Sequence, residues 1–222
     1  MALTAGEFRY DEYGARTAPP MVLVHGSHTD ASTWAAIAPQ LAEDWRVIAL
    51  DQRGHGASPR PAEYSFELMC DDLAEFVDSL ELGKFLLCGH SMGGTVATIF
   101  AERYVDRLTG LILVDSPPPD GRGDWTVPPE PAEDPGFDWA VLTAIFAQLG
   151  DPDPAWWADL PLITAPTLLV GGGSTSPAPQ ELLAKAATLI PDAELVTIEG
   201  AGHAVQRTRP NELLTAIHAR FG

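Results

Sequence analysis

The stretch KFLLCGHSMGGTVATIFAERY, residues 84–104, changes character at its middle. Phe85 to Cys88 form a short apolar run of the kind buried on both faces of a parallel sheet, and Gly93 to Tyr104 carry a helical pattern. Gly89-His90-Ser91-Met92-Gly93 lies between them, a GxSxG pattern at a strand-to-helix junction. That setting predicts a turn so tight that Ser91 is held in a strained backbone conformation and only small residues fit at Gly89 and Gly93. The Ser91 hydroxyl then stands above the sheet edge, at a helix amino terminus whose amides favour developing negative charge. Ser91 is therefore a candidate nucleophile; a purely structural turn is the alternative.

Outward from this junction, apolar runs bounded by glycine or proline recur at 21–26, 45–50, 108–115, 166–172 and 193–200. Helix-like stretches separate them: Ser32 to Leu41, Phe66 to Leu82, Pro179 to Ile190 and Pro210 to Phe221. In the second of these, Leu68, Leu73, Phe76, Val77 and Leu80 make an apolar stripe able to cover one sheet face. The pattern predicts a layered α/β architecture with a mostly parallel sheet. The amino-terminal segment has room for a small hairpin with FRYDEY as its second strand. Residues 116–160 break the alternation, with seven prolines by Pro135, four of the six tryptophans and a helix candidate from Asp138 to Leu149. They are expected to form a cap inserted over the carboxyl edge of the sheet of a single domain spanning 1–222.

Composition narrows the functional classes. Thirteen basic against 31 acidic residues leave a formal charge of −18, a field that repels nucleic acid and anionic membrane surfaces. No apolar run approaches the length of a membrane span and MALTAGEFRYDEYG lacks the marks of a secretory signal, so a cytoplasmic protein is expected. Cys70 and Cys88 read as packing thiols. With no metal-ligand cluster, phosphate loop or dinucleotide fingerprint, no cofactor is implied.

A nucleophilic serine needs a base. His203, in EGAGHAV between the last strand and the last helix, sits in a glycine-flanked loop that can bring the imidazole over Ser91. His90 is expected to point into packing, His218 to face solvent and His55 to fix a loop. A tetrahedral intermediate needs two amide donors. Met92 N–H follows the nucleophile directly, and Ser27 N–H follows the MVLVHG strand. His28 faces the same entrance, and Trp125, Trp139, Trp156 and Trp157 of the cap could line an apolar pocket.

VLVHG, LDQRGHGAS, GHSMGG, GLILVD, APTLLVGG and EGAGH occur in an order and at spacings that resemble the α/β-hydrolase superfamily over nearly the whole chain. The resemblance implies a mostly parallel eight-strand sheet, with a shortened first strand, and a small cap after the sixth. It also implies a triad acid after the seventh strand, here TLLV, where the sequence offers only Ser174, Thr175 and Ser176. The neighbouring sixth strand ends in Asp115, which can reach the His203 loop and keeps the order nucleophile, acid, histidine. Asp115 could instead cap the turn into Pro117; Asp120 and Asp124 lie farther out. The expectation is a cofactor-free serine hydrolase of carboxylic esters or thioesters, acting on a small-molecule acyl substrate through Ser91, His203 and Asp115. Carbon–carbon bond hydrolase, lactonase, lyase and cyclase chemistry in the same pocket, or a non-catalytic ligand-binding homologue, are the alternatives.

Overall fold

The computed structural model describes residues 1–222. Its strands are β1 (Ala2–Leu3), β2 (Gly6–Glu7), β3 (Tyr10–Tyr13), β4 (Pro20–Val24), β5 (Arg46–Leu50), β6 (Phe85–His90), β7 (Leu108–Val114), β8 (Thr167–Gly171) and β9 (Ala193–Thr197). β3 to β9 form one seven-stranded sheet in the order β3-β5-β4-β6-β7-β8-β9. Only β3 runs antiparallel to its neighbour, Tyr10 lying opposite Leu50.

Helices cover both faces: α1 (Ala38–Leu41), α2 (Phe66–Ser79), α3 (Met92–Arg103), α4 (Ala140–Gly150), α5 (Ala155–Ala158), α6 (Gln180–Leu189), α7 (Val205–Thr208) and α8 (Pro210–Phe221). Side chains on a strand alternate between faces, and this divides the core in two. Val22, Val24, Ile48, Leu87 and Leu113 pack with Phe76 of α2, Phe100 of α3 and Leu183 of α6. Met21, Leu23, Val47, Cys88 and Val114 pack with Leu41 of α1 and Leu213 and Ile217 of α8. Both cysteines are buried and unpaired, and burial pushes the Cys70 thiol up to about 12.

Three expectations need correction. The sheet has seven strands, not eight, because the first is reduced to the two-residue pair β1–β2, which stands apart. FRYDEY is not the second strand of a hairpin: its residues 10–13 form β3 at the sheet edge, where Tyr10 packs on Phe76. The stretch 32–41 is two short pieces, a 3-10 turn at Ala31–Trp34 and α1, because Pro39 permits a helix only as its first turn.

The topology turns around at the centre of the sheet. From β4 the chain moves outward to β5 on one side; from β6 it continues through β7, β8 and β9 on the other. Open α/β sheets bind ligands outside the carboxyl ends of strands at such a reversal. Between β7 and β8 the chain leaves the sheet, and its irregular first part is tied back to the loop after β5: Asp138 N–H donates to Gly54 O and Gly56 N–H to Gly136 O. No helix is long and apolar enough to cross a membrane.

That same loop after β5 is anchored to α2 by a buried ion pair in which the Arg53 guanidinium engages both Asp72 oxygens, Nη2 at 2.7 Å from Oδ1. Removing one member of a buried pair strands the other, at a cost of about 3–5 kcal/mol. Asp72→Ala is expected to lower the urea-unfolding free energy by that amount, and a loss below about 1 kcal/mol would show the pair to be dispensable.

Candidate active site

β6 runs into α3 through Ser91, whose backbone lies at φ 52°, ψ −122°. This is a costly conformation for a residue with a side chain, held only because its surroundings over-determine it. Ser91 N–H donates to Val114 O, and its carbonyl accepts from Gly94 N–H and from the Ser116 hydroxyl at 2.7 Å. A Cβ on Gly93 would stand 2.4 Å from Val24 O, and one on Gly89 would stand 2.3 Å from Gly93 O, so the crossing closes only without side chains at both.

His203 follows β9. Its Nε2 lies 2.9 Å from Ser91 Oγ and its Nδ1 lies 2.7 Å from Asp115 Oδ2. The loop is held in two ways. His90 donates from Nε2 to the His203 carbonyl at 2.8 Å, and Gly202 N–H donates to Gly172 O. A Cβ on Gly172 would meet Gly202 O at 2.0 Å, so the glycine run after β8 lets the histidine loop pass. His90 is a residue the sequence reading consigned to packing; burial, with His203 beside it, pushes its pKa down to about 4 and keeps it neutral.

Asp115 directly follows β7, in the left-handed region at φ 47°, with its side chain fully buried. Besides His203, its carboxylate accepts from Gly172 N–H (2.9 Å), the Ser176 hydroxyl and Gln180 Nε2 (3.2 Å). Burial alone would raise its pKa, but the hydrogen bonds from His203, Ser176, Gly172 and Gln180 together hold the carboxyl below its ordinary value. Residues 172–176, which carry no acid, thus supply donors to the acid of the neighbouring strand. Their hydroxyls and the distant Gln180 gave no periodic signal by which the sequence could have marked them.

At the other wall, fully buried His25 donates from Nδ1 to Gly26 O, which turns the next amide, Ser27 N–H, the opposite way across a trans peptide. Gln52 N–H donates to His25 Nε2, and burial lowers the His25 pKa to about 3, so the ring stays neutral. Neither Ser27 N–H nor Met92 N–H donates to a protein acceptor, and both residues border the main cavity. His55 places its ring nitrogens 2.8 and 3.0 Å from the Ser27 and Arg53 carbonyls, a loop-fixing arrangement.

That cavity has a volume of about 320 Å³ and lies between Ser91 and the 116–160 segment, with Met92, Ile145, Phe146, Leu149 and Leu182 among its apolar walls. His28 and Trp125 border it. Trp139 and Trp156 do not: Trp139 stacks on Phe137 and donates to Pro128 O, while Trp156 is buried edge-on against Phe66. Trp157 is likewise outside, its indole donating to Pro119 O with Lys185 over its ring. No group of three or more His, Cys, Asp or Glu side chains is arranged to hold a metal ion.

Comparison with known proteins agrees with this architecture. A serine hydrolase-like protein of Danio rerio is 33% identical over 119 residues, which are 52% of this chain and 36% of that relative; the chain thus spans about a third of its length. Esterase YbfF of Escherichia coli (strain K12) is 25% identical over 89% of this chain and 91% of its own. The crystal structure of a hydrolase from Pseudomonas aeruginosa PA01 superposes with a TM-score of 0.87 at 26% identity, covering 100% of this chain and 97% of that one. The family model for the alpha/beta hydrolase fold matches residues 19–139, from β4 through the GxSxG turn and into the excursion before β8. With more than half of its residues in that match and the sheet reversal, elbow and histidine loop in place, the chain belongs to the alpha/beta hydrolase family.

Proposed function

We propose that the protein is a serine hydrolase of carboxylic esters or thioesters, with Ser91 as nucleophile, His203 as general base and acid, and Asp115 as the acid partner. The observation that carries this reading is the unbroken hydrogen-bond chain from Ser91 Oγ through both nitrogens of His203 to Asp115. A serine hydroxyl at its free pKa is a weak nucleophile and is activated by an adjacent base whose own orientation is fixed by a third group. YbfF, an esterase similar along almost its whole length, supports the same reaction class.

In this mechanism His203 Nε2 takes the Ser91 proton as Oγ attacks the acyl carbon. The amides of Ser27 and Met92 receive the oxyanion. Protonated His203 gives its proton to the departing oxygen or sulfur, then deprotonates the water that releases the acid and restores Ser91. Asp115 holds the Nδ1–H tautomer and stabilises the imidazolium. A carboxylate already satisfied by three other donors stays ionised throughout, so it lends charge without taking the proton. The 116–160 segment acts as the cap, and its apolar cavity suits an acyl chain.

Turnover of a short aryl ester tests this reading. Ser91→Ala should abolish it, and Asp115→Asn should lower kcat by about 10⁴-fold, the loss seen when a triad aspartate becomes an amide, with both variants folded by circular dichroism. A nearly normal Asp115→Asn would make the residue structural. Ser176→Ala removes one of several donors to Asp115 and should cost roughly tenfold or less in kcat, in keeping with one modest hydrogen bond; a loss as large as that of Asp115→Asn would mean that Ser176 takes part directly.

A further inference from the structure

A second cavity of about 160 Å³ borders the same serine. Ser27, His28, Ser91 and His203 border both cavities, but the smaller one is otherwise polar, walled by Thr29, Thr33, Gln206 and Arg207. Gln206 is fully buried there; it donates to Thr33 Oγ1 through Nε2 and leaves Oε1 without a partner.

Arg207 is set apart by what surrounds the other cations. The chain has eleven arginines, and ten of them, Arg207 excepted, lie in ion pairs with Asp or Glu. Of the two lysines, Lys185 covers the Trp157 ring and Lys84 precedes the first residue of β6, at the end of the sheet away from the site. In a protein with 31 acidic side chains, the one guanidinium free of them is exposed at the polar cavity beside Ser91 and His203. A guanidinium with free donors in a fork geometry matches a carboxylate.

We propose that this cavity is the leaving-group subsite and that it takes a carboxylate-bearing alcohol or phenol, with Arg207 as counter-ion. The inference rests on the hydrolase reading above. The side of the site follows from the chemistry: the leaving oxygen must receive its proton from His203 Nε2, and the segment that carries His203 continues through Ala204, Gln206 and Arg207 along the wall of this cavity. The C–O bond of the ester breaks toward that wall, the Ser91 proton passes through His203 to the departing oxygen, and a free hydroxy acid leaves. Water then cleaves the acyl–Ser91 ester, so that one ester and one water give a carboxylic acid and a hydroxy acid. The apolar cavity under the cap holds the acyl chain, and the two compartments divide the substrate at its scissile bond.

The test is a matched pair of substrates, 3-carboxyphenyl butyrate and its neutral counterpart 3-carbamoylphenyl butyrate. In wild-type protein the ratio of kcat/KM values should favour the carboxylate by roughly tenfold, the worth of one charged hydrogen bond, and the preference should shrink as salt screens it. Arg207→Gln should bring the ratio to about one and Arg207→Lys should retain part of it. A ratio near one in the wild type, or one unchanged in Arg207→Gln, overturns the proposal. Failure to turn over either ester counts against the hydrolase reading instead. In that event, calorimetric binding of 3-hydroxybenzoate against 3-hydroxybenzamide still decides the anion site: roughly tenfold tighter binding of the acid, lost in Arg207→Gln, upholds it, and equal binding overturns it.

Discussion

A carboxylate removed from water must be met by donors, and in this protein the need of one buried carboxylate organises the carboxyl-end edge of the sheet. Asp115, at the end of β7, draws on a backbone amide after β8, the Ser176 hydroxyl, the side chain of Gln180 at the start of α6, and the imidazole after β9. An isolated charge in such a place would protonate or distort its surroundings. Supplied with four donors, it becomes a fixed negative point against which the histidine is aimed. On the other wall neutral groups hold the loops after β4 and β5: His25 donates to Gly26 O and accepts from Gln52 N–H, and Gln52 Nε2 donates to His25 O.

This arrangement explains the glycine and serine run that follows β8. Residues 172–176 hold no acid of their own; the run is a receptor for the charge beside it. Gly172 contributes an amide and, by lacking a Cβ, room for the histidine loop, and Ser176 contributes a hydroxyl. Without those donors a carboxylate just past β7 would lie buried and unsatisfied.

Much of this was legible in the sequence because it depends on local chemistry. Apolar runs of four to six residues mark strands buried on both faces, and the elbow glycines mark a crossing that sterics permits nowhere else. The missing acid at 174–176 directed attention to Asp115. What escaped were supporting contacts that no motif marks. The Ser116 hydroxyl on the Ser91 carbonyl, His90 on the His203 carbonyl and Gln180 on Asp115 span 25, 113 and 65 residues and leave no periodic trace. The tryptophans misled for a related reason: a large indole in a cap serves packing as readily as binding, and only Trp125 of the four faces the cavity. Arg207 was invisible until every other arginine had been given its partner.

The three members of the hydrogen-bonded chain are not equally deep in the sheet. Ser91 follows the central strand β6 and Asp115 the next one out, but His203 follows β9, which closes the sheet and has a neighbour on one side only. Edge strands open more readily than central ones. The imidazole is therefore carried on the outermost leaf of the sheet, which Ile198, Ala201 and Val205 tie into the second apolar core. The Asp115 cluster, which laces the end of β7 to the loop after β8, α6 and the histidine loop, ties that leaf to the strands beside it, so the outer edge of the sheet is held by a buried charge as well as by its backbone ladder.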